Sequence, residues 1–271
     1  MKLCTIFISI LISLQYSIVY GQFKAVYIPD SILVKIKIDG DMSDWNWVPQ
    51  KYLITEQSMI KNISANDNSW KCRIIVGWSD LNHKLYIIAK VIDDIFITNN
   101  SMYYTNDCMQ FSINADNGGG RFGEEDGIIH SRTKNSILCA LVPTSDKSSK
   151  LLINVGPDWM REKRHINWAV KYYKNENDGY EMVYEMCLSL WDKWENEGPG
   201  YSLPTKLYPF KRIRLALVFN DSDASDETFT EWANFAGKDW WKNADDMPKF
   251  VLDMPFEKGI SWYGVHYVLS Q

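Results

Sequence analysis

Apolar side chains recur at every second position along much of this 271-residue chain. Cys72, Ile74, Val76 and Trp78 fall on one side of their segment, and Leu85, Ile87, Ala89 and Val91 do the same ahead of Asp93-Asp94. Successive strand residues point to opposite faces, so this period of two marks strands that bury one face. It returns in Met109, Phe111 and Ile113, in Met182, Tyr184, Met186 and Leu188, and in Ile213, Leu215, Leu217 and Phe219. Clusters of turn formers separate these runs, among them Ser79-Asp80-Leu81-Asn82, Asn117-Gly118-Gly119-Gly120, Asn175-Glu176-Asn177-Asp178-Gly179 and the acid-rich stretch from Asp221 to Asp226. Many short strands punctuated in this way predict an all-β, antiparallel two-sheet β-sandwich, jelly-roll-like and built as a single domain. Its core should hold Met109, Phe111, Ile113, Ile87, Ala89, Leu215 and Leu217. No helical pattern is long enough to compete, and only Ser189–Asn196 is expected to form a short helical turn.

The N-terminus follows a different rule. Lys2 precedes an apolar run from Leu3 to Val19, and small Gly21 follows, which reads as a signal peptide over residues 1–21. An uncleaved anchor is the alternative, although spanning a bilayer takes about 20 predominantly apolar residues. No later stretch is long and apolar enough, so the mature chain is expected to have no transmembrane segment and to be secreted, periplasmic or at the cell surface. Residues 22–37 read as an N-terminal lead-in or edge segment, and residues 38–271 as the sandwich domain.

Composition narrows the chemistry. The formal charge of −5 is spread without long blocks, which argues against nucleic acid, whose binders need a basic face to displace counterions. Twelve Trp and fifteen Tyr favour strands and exposed aromatic platforms. Once Cys4 leaves with the signal, Cys72, Cys108, Cys139 and Cys187 remain. Four cysteines allow three disulfide pairings, while Cys inside strands is also an ordinary small core residue. The chain has no Cys-x-x-Cys or His-x-x-x-His pair for zinc, no Gly-x-Ser-x-Gly elbow and no phosphate-binding loop. Its 34 acids give no reason to place any two at the separation that glycoside hydrolysis needs. A non-catalytic binding module is the reading that remains.

Two stretches sharpen it. Ile38-Asp39-Gly40-Asp41-Met42-Ser43-Asp44-Trp45-Asn46-Trp47 sets a tight Asp-Gly turn ahead of an acidic, Trp-rich segment, and Tyr104-Thr105-Asn106-Asp107 launches the strand Cys108–Ile113. Both resemble family 9 carbohydrate-binding modules, as do Trp78 to Tyr86, the strand Gly179-Tyr180 through Glu185, Ile213 to Asp223, Glu231-Trp232 and Trp262 to Leu269. The resemblance implies a β-sandwich that holds the end of an oligo- or polysaccharide between two aromatic rings, serves polysaccharide breakdown beside glycoside hydrolases, and in several members carries structural Ca²⁺.

Carried over by position, the resemblance makes Tyr104 the first platform and Gln110 its hydrogen-bonding partner. Trp240 or Trp241, with Trp241 preferred, supplies the second platform, and Arg132 with His130 beside it is the nearest match to the family's Arg. Trp45 and Trp47 are expected to pack at the sandwich edge. Loop carboxylates at Glu124-Glu125-Asp126 and at Asp221, Asp223 and Asp226 are candidate Ca²⁺ ligands, since hard oxygen donors suit that ion. Two rival readings use the same fold. One is a haem-binding electron-transfer sandwich drawing ligands from Met109, Met182, Met186 and His130; the other is a scaffold without a small ligand.

Overall fold

The computed structural model describes residues 23–61, 70–122, 124–125, 128–129, 134–176, 179–223, 231–234 and 236–254. Among them, strands are β1 (Phe23–Tyr27), β2 (Ile54–Thr55), β3 (Ile60–Lys61), β4 (Lys71–Ser79), β5 (Lys84–Asp93) and β6 (Cys108–Asn114). There follow β7 (Glu124–Glu125), β8 (Ile128–Ile129), β9 (Ser136–Pro143), β10 (Ser149–Val155), β11 (Ile166–Lys174) and β12 (Tyr180–Ser189). The last are β13 (Trp191–Lys193), β14 (Leu203–Pro204), β15 (Arg212–Asp221), β16 (Glu231–Asn234) and β17 (Lys249–Leu252). Among the described residues, helix is confined to the four residues Asp30–Leu33 and to short 3-10 turns such as Met42–Trp45 and Tyr103–Thr105.

Two sets of strands face each other. One runs β10-β9-β6-β15-β17, with β16 beside β15, and the other runs β4-β5-β12-β11, with β2 beside β4. Their inward residues interleave into one cluster that takes in the alternating positions of β4, β5, β6, β9, β12 and β15. All seven core positions expected from the periodicity lie in it and are at most 2% exposed. Each such side chain contributes roughly 1.5–3 kcal/mol by leaving water, so the aligned faces dominate the energetics of the sandwich.

β1 joins the two sets. Phe23–Ala25 run parallel to Phe250–Leu252 of β17, and Val26 and Tyr27 run parallel to Gly77 and Trp78 of β4. Part of the expected lead-in is therefore an internal strand, with neighbours on both sides, rather than an edge. Its two faces are both covered, Ala25 by the main core and Val26 by a second apolar layer, so its sequence shows no alternation. These two pairings also make the sheet mixed, whereas the other ladders are antiparallel.

The second apolar layer explains the opening motif. Trp45 and Tyr52 pack over the outward side chains Ile75, Tyr86, Ile88, Val183 and Cys187. Beneath them Glu185 is fully buried. Its Oε1 accepts from Trp45 Nε1 at 3.0 Å, and its Oε2 accepts from the Asp39 and Gly40 amides at 2.9 and 2.8 Å. Gly40 sits at φ +77°, and a Cβ there would lie 3.0 Å from Lys171 Cγ, so both conformation and space call for glycine. At Gly77 a Cβ would come within 2.8 Å of Ile28 Cδ1, and the bare backbone is what lets this layer close down.

One local expectation is revised, and one open reading is decided. Trp191–Lys193 is a short strand paired with Leu203–Pro204, not a helical turn. Tertiary bonds override the local preference there, with Trp194 N donating to Lys134 O and Trp194 Nε1 to Ser136 O. Cys72, Cys108, Cys139 and Cys187 are buried thiols, so they act as core residues and no disulfide forms among them. Residues 1–21, expected to be a signal peptide, and Trp262 to Leu269 lie outside the described residues.

Candidate functional site

The face of β6 turned away from the core carries Cys108, Gln110, Ser112 and Asn114, and β15 sets Asn220, Val218, Ala216 and Arg214 beside them in register. Part of this outer face is closed. Phe122, Trp240, Ala244 and Met247 pack over Leu138, Ala216 and Val218, on loops joined where Phe122 N donates to Lys242 O and Ala244 N to Gly120 O. Beyond that cover lies a polar and aromatic patch. Gln110 Nε2 donates to Asn220 Oδ1 at 3.0 Å, and Asn220 Nδ2 donates to Tyr104 O at 2.6 Å.

This relay uses one N–H of Gln110. Its Oε1 and second N–H remain available to a ligand, and Gln110 is half-buried. Tyr104 follows Tyr103 on a 3-10 turn, and the two rings meet edge to face at 5.3 Å. Tyr103 packs against Cys108, Ala140 and Val142 and accepts from Asn154 Nδ2 through its hydroxyl at 2.7 Å. Tyr104 is thereby braced from behind, while its own side chain is 41% exposed.

An acidic seat lies at the same end of the strands. Asp93 closes β5, Asp107 precedes β6 and Asp221 closes β15, and one oxygen of each lies within 4.8 Å of the others, all three being buried. Burial first, then the charges of Asp221 and Asp107, pushes Asp93 up to about 10. Burial also holds Asp107 well above the carboxylate range, against the pull of the Ile97 and Ser222 amides. Asp93 Oδ2 is buried without a hydrogen-bond partner. Three converging hard oxygen donors with one such orphan fit a cation of the Ca²⁺ type. Asp93 also groups with the exposed Asp94 and Asp223, and Asp93 and Asp94 line a cleft of about 490 Å³ together with Lys71, Glu176 and Glu181.

The expected site residues divide. Tyr104 and Gln110 are brought together through Asn220. Trp241 is 43% exposed, with Lys242 Nζ 4.9 Å from its ring centroid, on the loop that covers the neighbouring part of the face. Trp240 is 3% exposed and belongs to that cover, so it packs on the sheet and offers no platform. Arg132 and His130 lie outside the described residues, as do Asp126 and Asp226, while Glu124–Glu125 form β7. Trp45 is structural, as expected. Met109, Met182 and Met186 fill the core between the sheets, and haem ligation by them would require emptying it. Asn220, Tyr103 and Asp93 were not singled out as site residues. Asn220 and Asp93 were visible only as residues next to turns, although strand alternation already puts Asn220 opposite Phe219.

The class these features define is a β-sandwich with an open amide-and-aromatic patch on one outer face. Its fold is that of family 9 carbohydrate-binding modules. It aligns over 89% of the chain with 98% of such a module from Caldicellulosiruptor kristjanssonii in complex with cellotriose, at 14% identity and a TM-score of 0.58. A structure of a family 9 module from the same organism in complex with glucose aligns over 89% of this chain and 100% of its own, at 14% identity and a TM-score of 0.54. No family model matches the sequence, and no curated protein matches it.

Proposed function

We propose that this protein is a non-catalytic carbohydrate-binding protein that takes a glycan at the patch formed by Tyr104 and Gln110, which the buried Asn220 holds together. The observation that carries this reading is the relay from Gln110 through the buried Asn220 to the Tyr104 carbonyl, which ties the half-buried Gln110 amide to the backbone of a residue whose ring is half-exposed. A pyranose has an apolar C–H face and a fringe of hydroxyls, so a flat ring meets the face while amides meet the fringe. Family 9 modules of the same fold in complex with cellotriose and glucose support a saccharide as the ligand class.

In this reading Trp241 is the second ring and Arg132 a further polar contact. Asp93, Asp107 and Asp221 hold Ca²⁺ as a structural ion. The apolar run Leu3–Val19 ahead of Gly21 supports export, with the protein acting in polysaccharide breakdown outside the cytoplasm. Among the described residues no helix is long and apolar enough to cross a membrane. A glycan array probed with the purified protein tests the reading. Selective signal on one glycan class is expected, and a blank array at millimolar ligand would instead favour the scaffold reading.

A further inference from the structure

The turn that leads into β15 holds an aromatic side chain where the backbone favours glycine. Lys211 N donates to Tyr208 O at 3.1 Å, closing the four-residue turn Tyr208-Pro209-Phe210-Lys211, and Phe210 N donates to Leu252 O at 2.7 Å. Phe210 sits at φ +67°. Proline at the second position and a positive φ at the third mark a type II turn, whose third position is ordinarily glycine or asparagine. For a bulky residue this conformation is an outlier, and burial does not offset it, since Phe210 is 60% exposed. Strained residues of this kind gather at ligand-binding surfaces. Glycine would make the same turn, so what phenylalanine adds here is its ring.

Tyr208 stands on the same turn and is 52% exposed. Lys211 Nζ lies 5.5 Å from its ring centroid. That ammonium is 3.9 Å from Asp192 Oδ1, which accepts from Thr205 Oγ1 at 2.7 Å. The Lys211 side chain is only 11% exposed, so it braces the Tyr208 ring much as Tyr103 braces Tyr104. Two aromatic rings beside an ammonium and a carboxylate are the mixture that meets the C–H face and the hydroxyls of a pyranose. A stable protein interface covers roughly 800 Å² on each partner, far more than a four-residue turn with ionic neighbours presents, whereas stacking one or two sugar rings needs no more than this.

We propose that Tyr208 and Phe210 form a second saccharide-binding surface, which takes the interior of an extended β-linked glycan. The choice of a saccharide rests on the glycan reading above, while the surface itself stands on the strained, exposed turn. The rings sit on a turn and not in a pocket, so a chain can run past them, and a chain with equatorial hydroxyls keeps the flat C–H faces on which rings stack. β15 runs from this turn to Asn220 beside Tyr104, which at ~3.4 Å per residue is about 30 Å. The two patches therefore lie at opposite ends of one strand and engage different parts of a polymer or two separate chains. Joining two weak sites in this way raises avidity for a polymer above the affinity of either site.

The test titrates the isotope-labelled full chain with cellohexaose and with xylohexaose while its amide resonances are followed. At least one of the two should shift the Lys211 amide saturably. Phe210→Gly removes the ring and relieves the backbone, because glycine adopts a positive φ freely. It should weaken the Lys211 response roughly 5- to 150-fold, the effect of losing a stacked ring, at a melting temperature equal to or above that of wild type. Tyr208→Ala should weaken the same response. A melting temperature several degrees lower in Phe210→Gly would mean that the ring packs within the chain, and it overturns the proposal. Shifts confined to the surroundings of Gln110 overturn the second surface and leave the glycan reading standing. Shifts confined to residues 208–211 support the second surface and remove the Tyr104 patch as a binding site. Absence of shifts with both hexasaccharides overturns the second surface, and the glycan array then judges the first reading separately.

Discussion

Glu185 shows how one buried carboxylate ties together motifs far apart in sequence. It accepts from the amides of Asp39 and Gly40 and from the Trp45 indole, and burial pushes its carboxyl up while those three donors pull it down. Glu185→Ala strands all three donors. At roughly 1–3 kcal/mol for each buried unsatisfied group, urea denaturation should show a loss of ~3 kcal/mol or more, and a loss below about 1 kcal/mol would contradict the anchor. His165 gives a pH prediction. Its ring lies edge-on to Trp159 and Trp191 at 5.0 and 5.7 Å, and its Nε2 is buried without a partner. Burial lowers its pKa, with Arg164 and Lys84 adding to the effect and Glu162 opposing it. The folded state therefore favours neutral imidazole, while the unfolded chain takes up a proton near pH 6.5. Stability should be full above that value and fall as the pH drops below it. Melting curves at pH 7.5 and 5.5 check this, because His165→Gln should show a smaller drop than wild type between the two.

The strands differ in how openly the sequence declares them. β4, β5, β6, β12 and β15 each bury one face in the main core, and their alternation names that face residue by residue. β1 was hidden because it is short and covered on both sides, so Ala25 and Val26 are both buried and leave no period to read. Removing it should be disproportionately harmful. A chain beginning at Ile28 loses the strand bonded to both β17 and β4, and it should lose its cooperative unfolding transition. A soluble truncation with a native near-UV circular dichroism spectrum would contradict this. The site was legible in part for related reasons. Tyr104 and Gln110 stood out from the loop-to-strand pattern, and alternation gave Gln110 its outward direction. Trp240 and Trp241 are neighbours of identical chemistry, and only the packing of the loop decides that the first is buried and the second exposed. The acidic seat draws on the ends of three strands, and no local pattern brings Asp93 to Asp107 and Asp221.

At the scale of the whole molecule, one core shared by both sheets implies a single unfolding transition, and the proposed ion in the acidic seat would tie that transition to calcium. An ion that binds only the folded state at 100 times its dissociation constant adds about 2.7 kcal/mol. For a domain of this size that corresponds to roughly 5–10 °C in melting temperature. Chelation of metal-replete protein should reverse the gain, and an unchanged melting curve would remove the ion from the seat. The proposed use of the fold lies in the Tyr104 patch. Isothermal titration of the best array-selected saccharide into wild type and Tyr104→Ala, with melting temperatures measured alongside, tests that use most directly. Loss of a stacked ring should weaken binding by roughly 1–3 kcal/mol at an unchanged melting temperature, whereas equal affinity in the two proteins would place the ligand elsewhere.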